Sequence, residues 1–321
     1  MITNFIAILT LCIFKMKGPL PFDVYIERFP GKFTKLYHKG DECDQEQLIN
    51  FEAKSVQVMF IREDDKVVYA THLAAILDDA IDYPGKLTDT DVVEIVARGL
   101  EITFEQILEQ DDEMGENMRW AKSQVRGSLS LITKDLSGAM EIYRTLQQDF
   151  DLAKHSYMVM LFSLILAREV GYENEKKLLQ IGLGALFHDL GQTRIDEELF
   201  RRTKLTPKEW DAVKDHPELG IKILDHCKGV TTEIRQIVLH THEQINGRGY
   251  PNRLANSQIY PPAKIVAIAD TFVSLISKTH YRQLSYTPIE ALEIMRVDEG
   301  HFDLGFLESF SKVFFKKTTA A

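Results

Sequence analysis

The sequence predicts an α+β chain, a small β-rich N-terminal unit followed by an all-α helical bundle, on three observations. Up to residue 87 the apolar spacing is short and often broken by Pro-Gly and Gly-Asp pairs. Beyond Thr88 it lengthens to a helical period, and after Asp151 the helices carry their own start and stop signals. A length of 321 residues gives room for roughly two domains with full cores, and 45% apolar residues is ordinary for a folded globular chain. Lys and Arg total 38 against 48 Asp and Glu, a net charge of -10. Neutralising a run of phosphates needs clustered cations, so this balance argues against DNA as a ligand while leaving room for one local basic pocket. Cys12, Cys43 and Cys227 are odd in number and far apart, which suits a reducing compartment better than a disulfide framework.

Residues 1–15 read as an apolar arm or a mis-called start. The run 2–14 is uncharged but shorter than the roughly 18 to 20 residues of a spanning helix. Lys15 and Lys17 follow the run instead of preceding it, unlike a secretory signal. The expectation is a cytoplasmic protein with no membrane span, in which translation from Met16 and a real arm explain the segment equally well. Residues 16–87 read as a small β-rich accessory domain. Strands over 22–26 and 33–37 flank Pro30-Gly31, and 56–61 with 67–69 reads as a hairpin around a charged turn. No chemistry is visible there. A helical connector over 88–150, apolar at 92–96, 102–108 and 118–131, leads to the helical domain 151–321.

In that domain, 152–170 is apolar at helical spacing and stops at Gly171, and 175–187 has the composition of a buried helix ending at His188-Asp189. Thr206-Pro207-Lys208-Glu209 and Thr287-Pro288-Ile289-Glu290 are capping boxes with proline at the first helical position, so both mark helix starts. Helices over 217–227, 232–243 and 263–277 complete a bundle of about five to seven.

Six of the ten histidines, His155, His188, His216, His226, His240 and His242, fall within one stretch of fewer than ninety residues in this domain. A carboxylate at the end of a buried helix must find a cation or take up a proton, and an adjacent histidine is a common partner in holding a divalent metal. Asp189 can also bridge two ions through its two oxygens, which an imidazole cannot do through one nitrogen. Asp270 is the sharpest single signal. It stands alone in the run Ile265-Val266-Ala267-Ile268-Ala269-Asp270-Thr271-Phe272, where desolvation costs several kcal/mol unless a cation compensates it.

Residues 155–282 resemble the HD-GYP family, a branch of the HD phosphohydrolases. The resemblance rests on His155-Ser156, Leu186-Phe187-His188-Asp189-Leu190-Gly191, Lys204-Leu205-Thr206 and Asp215-His216-Pro217-Glu218-Leu219-Gly220. It continues with His242-Glu243, Gly247-Arg248-Gly249-Tyr250-Pro251, Ile265 to Asp270 and Tyr281-Arg282. What it implies is an HD-type bundle acting as a cyclic di-GMP phosphodiesterase, giving linear pGpG or GMP through a metal-activated hydroxide at a dinuclear site. The implied ligands of two divalent ions, iron or manganese, are His155, His188, Asp189, His216, His242 and Asp270, with Asp189 bridging. Gly249, Tyr250, Pro251 and Arg282 are the implied substrate contacts, and the glycine loop is an implied docking point for a diguanylate cyclase or another signalling protein. The chain departs from the family at Gln192, where lysine is usual and where Arg194 is the expected stand-in beside Asp189, and at Thr241, Asn246 and Thr279. Adjacent helical positions diverge by about 100° and alternate ones by roughly 200°, so His240 and His242 do not both face one ion. These departures keep open the alternative of a catalytically weak or inactive member that binds cyclic di-GMP or docks a protein as an adaptor.

Overall fold

The computed structural model describes residues 4–14, 18–44, 46, 51, 58–83, 87–109, 115–132, 151–278 and 284–315. Four antiparallel strands form one sheet: β1 (Phe5–Leu9), β2 (Val24–Phe29), β3 (Lys32–Tyr37) and β4 (Val58–Arg62), in the order β1-β4-β2-β3. β1 lies at the sheet edge with Phe5 opposite Arg62 and Leu9 opposite Val58. It runs into the short helix α1 (Thr10–Phe14), so the apolar N-terminal residues belong to the core, with Ile8, Cys12 and Ile13 buried.

The expected hairpin is corrected. A 3-10 turn, Glu63–Asp65, follows β4, and Val67 to Tyr69 open the helix α2 (Lys66–Asp82). Its buried positions Tyr69, Ala70, Leu73, Ala74, Ile76 and Leu77 recur at helical spacing. That longer period outweighs the strand preference of three β-branched or aromatic residues. α2 packs on α3 (Asp89–Glu109) and α4 (Glu116–Ile132), which pack in turn on the bundle.

The bundle is built around α5 (Leu152–Glu169), where every position from His155 to Ala167 is buried, the pattern of a helix surrounded on all sides. Around it stand α6 (Glu175–Phe187), α7 (Glu197–Arg201), α8 (Pro207–Lys214), α9 (His216–Leu224), α10 (Thr232–His240), α11 (Pro261–Ile276), α12 (Pro288–Val297) and α13 (Leu304–Phe315). Both predicted capping boxes form, at Thr206/Glu209 and Thr287/Glu290. Asp151 caps α5 by accepting from the Lys154 N–H at 2.8 Å, and Asn174 caps α6 by accepting from the Lys177 N–H at 3.1 Å. Phe162 of α5 meets Phe272 of α11 and Phe310 of α13 at ring distances of 5.1 and 6.1 Å, fixing the C-terminal helix against the core. Among the described residues no helix is long and apolar enough to cross a membrane.

Candidate metal centre

Five elements converge on one buried spot, and local chemistry explains how each side chain is aimed. α6 ends at His188, whose Nδ1 lies 2.7 Å from the Ala185 carbonyl three residues back. The same device recurs where α8 ends: His216 Nδ1 lies 2.8 Å from the Val213 carbonyl. In each case the Nδ1–H satisfies a helix-end carbonyl and aims Nε2 inward, the ring orientation a metal ligand needs. His188 Nε2 is buried and has no hydrogen-bond partner.

Asp189 divides its two oxygens between two groups. Its Oδ2 lies 3.3 Å from His188 Nε2 and 3.6 Å from His155 Nε2. Its Oδ1 lies 3.1 Å from His216 Nε2 and 3.3 Å from His242 Nε2. Asp270 closes the first group, its Oδ1 3.2 Å from His155 Nε2 and 3.7 Å from His188 Nε2. His155, His188, Asp189 and Asp270 thus form one set of ligand atoms and Asp189, His216 and His242 another, each drawn together within 4.8 Å. All six ligands implied by the sequence meet here. The donor set fits divalent ions: buried nitrogens and carboxylate oxygens in two clusters sharing one carboxylate, with the buried His188 Nε2 lacking a hydrogen-bond partner.

The electrostatics follow from the crowding. Burial alone pushes Asp189 up, but His188, His216 and His242 override it and hold the carboxylate well below its usual range. Asp270 is likewise driven up by burial and lowered, on balance, by His155 and His188. His242 is lowered, by burial first and then by the neighbouring His216. These carboxylates therefore stay ionised in the interior, and in the second cluster the His242 imidazole resists protonation.

Two close backbone approaches bring the elements together. After Asp189 the chain turns through the 3-10 segment Leu190–Arg194, and a Cβ on Gly191 would stand 1.9 Å from the His216 carbonyl oxygen and 2.5 Å from Gly220 N. Only glycine lets this turn lie on the start of α9, which sets His216 against Asp189. A Cβ on Gly249 would stand 2.4 Å from both Gln244 N and Glu243 Cα, so the glycine loop folds back on the residues following α10. Glu243, 3% exposed, holds that loop by accepting from the Asn252 and Leu254 N–H groups at 2.7 and 2.9 Å.

The remaining site expectations fall differently. Tyr250 stacks on His242 with ring centroids 5.1 Å apart and planes within 4°, which places this expected substrate contact against a ligand histidine. Pro251 follows it, half-buried. Arg194 is exposed and its guanidinium donates to the Leu108 carbonyl of α3 at 3.4 Å. Gln192 is half-buried in the 3-10 turn, its N–H donating to the Asp189 carbonyl at 2.9 Å. Thr241 is buried and gives its hydroxyl to the Ile237 carbonyl at 2.7 Å, away from ligand duty. His240 accepts from the Tyr260 N–H through Nδ1 at 3.1 Å and joins neither cluster. Arg282 and Thr279 lie outside the described residues. Glu243 as a loop clamp and Trp210 beside Tyr250 are not singled out in the sequence. The first has no signal beyond its place in a motif, and the second is an aromatic on the otherwise polar helix α8.

Residues 145–305 match the HD domain family. The chain is 31% identical over 159 residues to the cyclic di-GMP phosphodiesterase PA4108 of Pseudomonas aeruginosa, covering 49% of this chain and 38% of that protein. It is 31% identical over 138 residues to the cyclic di-GMP phosphodiesterase response regulator RpfG of Xanthomonas campestris, covering 42% and 36%. The chain therefore spans well under half the length of these curated relatives. In fold it is similar to Bd1817, an HDG"Y"P protein from Bdellovibrio bacteriovorus, with a TM-score of 0.67 at 21% identity over 97% of this chain and 99% of that one. A domain match over half the chain, relatives sharing its motif-bearing stretch and a shared architecture lead to one assignment: the chain belongs to the HD-GYP family of HD-domain proteins.

Proposed function

We propose that this protein is a metal-dependent phosphodiesterase acting on cyclic di-GMP, with two divalent ions, iron or manganese, held by His155, His188, Asp189, His216, His242 and Asp270. The observation that carries the reading is the division of Asp189, one oxygen toward His155 and His188 and the other toward His216 and His242. Bound ions would supply the charge that acidifies a water and offsets the developing negative charge on the phosphodiester oxygens. The chain's own part is positioning. Carbonyl bonds at Nδ1 fix the tautomers of His188 and His216, Asp270 keeps its charge in the interior, and Tyr250 covers one face of His242. The second cluster has three protein ligands, the number that leaves a position for water or substrate in catalytic sites. The product is linear pGpG or GMP.

A second reading is supported by Gln192 and Thr241. The lysine expected near the scissile phosphate is absent, and Thr241 turns its hydroxyl to the backbone. A protein of this kind would bind cyclic di-GMP or a partner through the glycine loop without turnover. The test separates the two. The protein is purified anaerobically, its metal content is counted, and cyclic di-GMP is followed by chromatography with added iron or manganese beside an Asp189→Ala control. Product formation that vanishes in the control supports the enzyme; two ions per chain with binding and no product supports the adaptor.

A further inference from the structure

Next to the metal centre stands an aromatic group with no assigned part in it. Trp210 of α8 is 45% exposed, whereas the chain's other tryptophan, Trp120, is 2% exposed. Its ring lies 6.5 Å from Tyr250 at an interplanar angle of 75°, and Tyr250 in turn stacks on His242. One ring therefore separates an exposed indole from a proposed metal ligand. Lys214, one turn further along α8, holds its ammonium 5.8 Å from the indole centroid and 3.1 Å from Asp211 Oδ1. A large exposed aromatic costs solvation and adds little to the core, while the open face of an indole is a good surface for a purine ring.

We propose that Trp210 is a base-stacking platform for a guanine of the substrate, on the indole face away from Lys214. The proposal rests on the nucleotide phosphodiesterase reading above and adds to it the surface that recognises the base. Tyr250, stacked on His242, links Trp210 to the metal cluster, so a base one sugar away from a phosphate held there has these two rings within reach. Tyr250 has one face committed to His242, which leaves Trp210 as the more available of the two rings.

Because Trp120 is buried, contact quenching of tryptophan emission by an added ligand reports chiefly on Trp210, and quenching by GMP in the metal-loaded protein needs no turnover. Quenching by GMP but not by inorganic phosphate, lost in Trp210→Phe through removal of the fluorophore, is the expected result. In steady-state hydrolysis, Trp210→Ala should raise KM for cyclic di-GMP roughly tenfold with kcat within about twofold, and Trp210→Phe should restore most of the affinity. Quenching by GMP without hydrolysis of cyclic di-GMP would keep the platform and remove the enzyme reading. Hydrolysis with no quenching and an unchanged KM in Trp210→Ala would remove the platform and leave the enzyme. An equal effect of inorganic phosphate on the emission would also overturn it, since phosphate has no ring to stack.

Discussion

The N-terminal region and the bundle both bury ionisable side chains, and they treat them in opposite ways. Around α1 and α2, burial pushes the Cys12 thiol up to about 12 and raises the Tyr69 phenol well above its ordinary range. Burial also lowers His72. All three are thereby kept neutral, and the Tyr69 hydroxyl takes the Leu9 N–H at 3.3 Å as a backbone anchor. In the bundle, Asp189 and Asp270 remain charged because imidazoles from α5, α6, α9 and the segment after α10 surround them. Neutral burial is what a core requires, whereas charged burial persists only where several groups are held in mutual register. Among the described residues the only two clusters able to hold a metal are those sharing Asp189.

The contrast is broken most directly by removing the shared carboxylate. Asp189→Ala is expected to lower phosphodiester hydrolysis by roughly a thousandfold or more and to empty both positions, read by chromatography and elemental analysis of the same sample. Retention of two ions per chain would show that the clusters do not depend on one residue. Next in size is Gly191→Ala, whose methyl meets the His216 carbonyl; a loss on the order of 3 kcal/mol in denaturant unfolding is expected, with metal content falling as well. His242→Ala should remove metal from the three-ligand cluster while His226→Ala, at an exposed position, leaves the metal count unchanged. Equal effects would mean that the histidines act through general stability. Glu243→Gln weakens the bonds to the Asn252 and Leu254 N–H groups and should lower stability by about 1 to 2 kcal/mol.

The smallest effect belongs to the sheet. Asp23 is lowered to about 2 by Lys35 and by the Lys39 N–H. A carboxylate depressed on folding contributes stability that is fully present above its unfolded value near 3.8 and is lost as the pH falls through about 2. Asp23→Asn should therefore flatten the decline of the melting temperature between those two values and change little at neutral pH beyond the loss of a partly exposed ion pair.

How far the sequence reaches also differs between the two regions. In the bundle, α6 runs from Glu175 to Phe187 as its punctuation predicts, because caps and a 3.6-residue period are local properties. Asp270 is legible for a related reason: one acid in an apolar run signals an unpaid desolvation that something distant must offset. In the N-terminal region the strand pattern over 67–69 is local too, but contacts to α3 and α4 select helix, and no three-residue window contains that information. At the site, the stack of Tyr250 on His242, the clamp made by Glu243 and the commitment of Arg194 to Leu108 all join residues through folded geometry and leave no pattern along the chain.

β1 carries a consequence for handling the protein. It is an edge strand whose partner is β4; it supplies Ile8 to the interior, and its continuation supplies Cys12 and Ile13. A truncated version starting at Met16 would leave β4 with a bare row of amides and carbonyls above an uncovered apolar trough. Two such molecules could satisfy each other strand to strand, so shortened preparations are expected to self-associate while chains carrying the first fifteen residues stay dispersed.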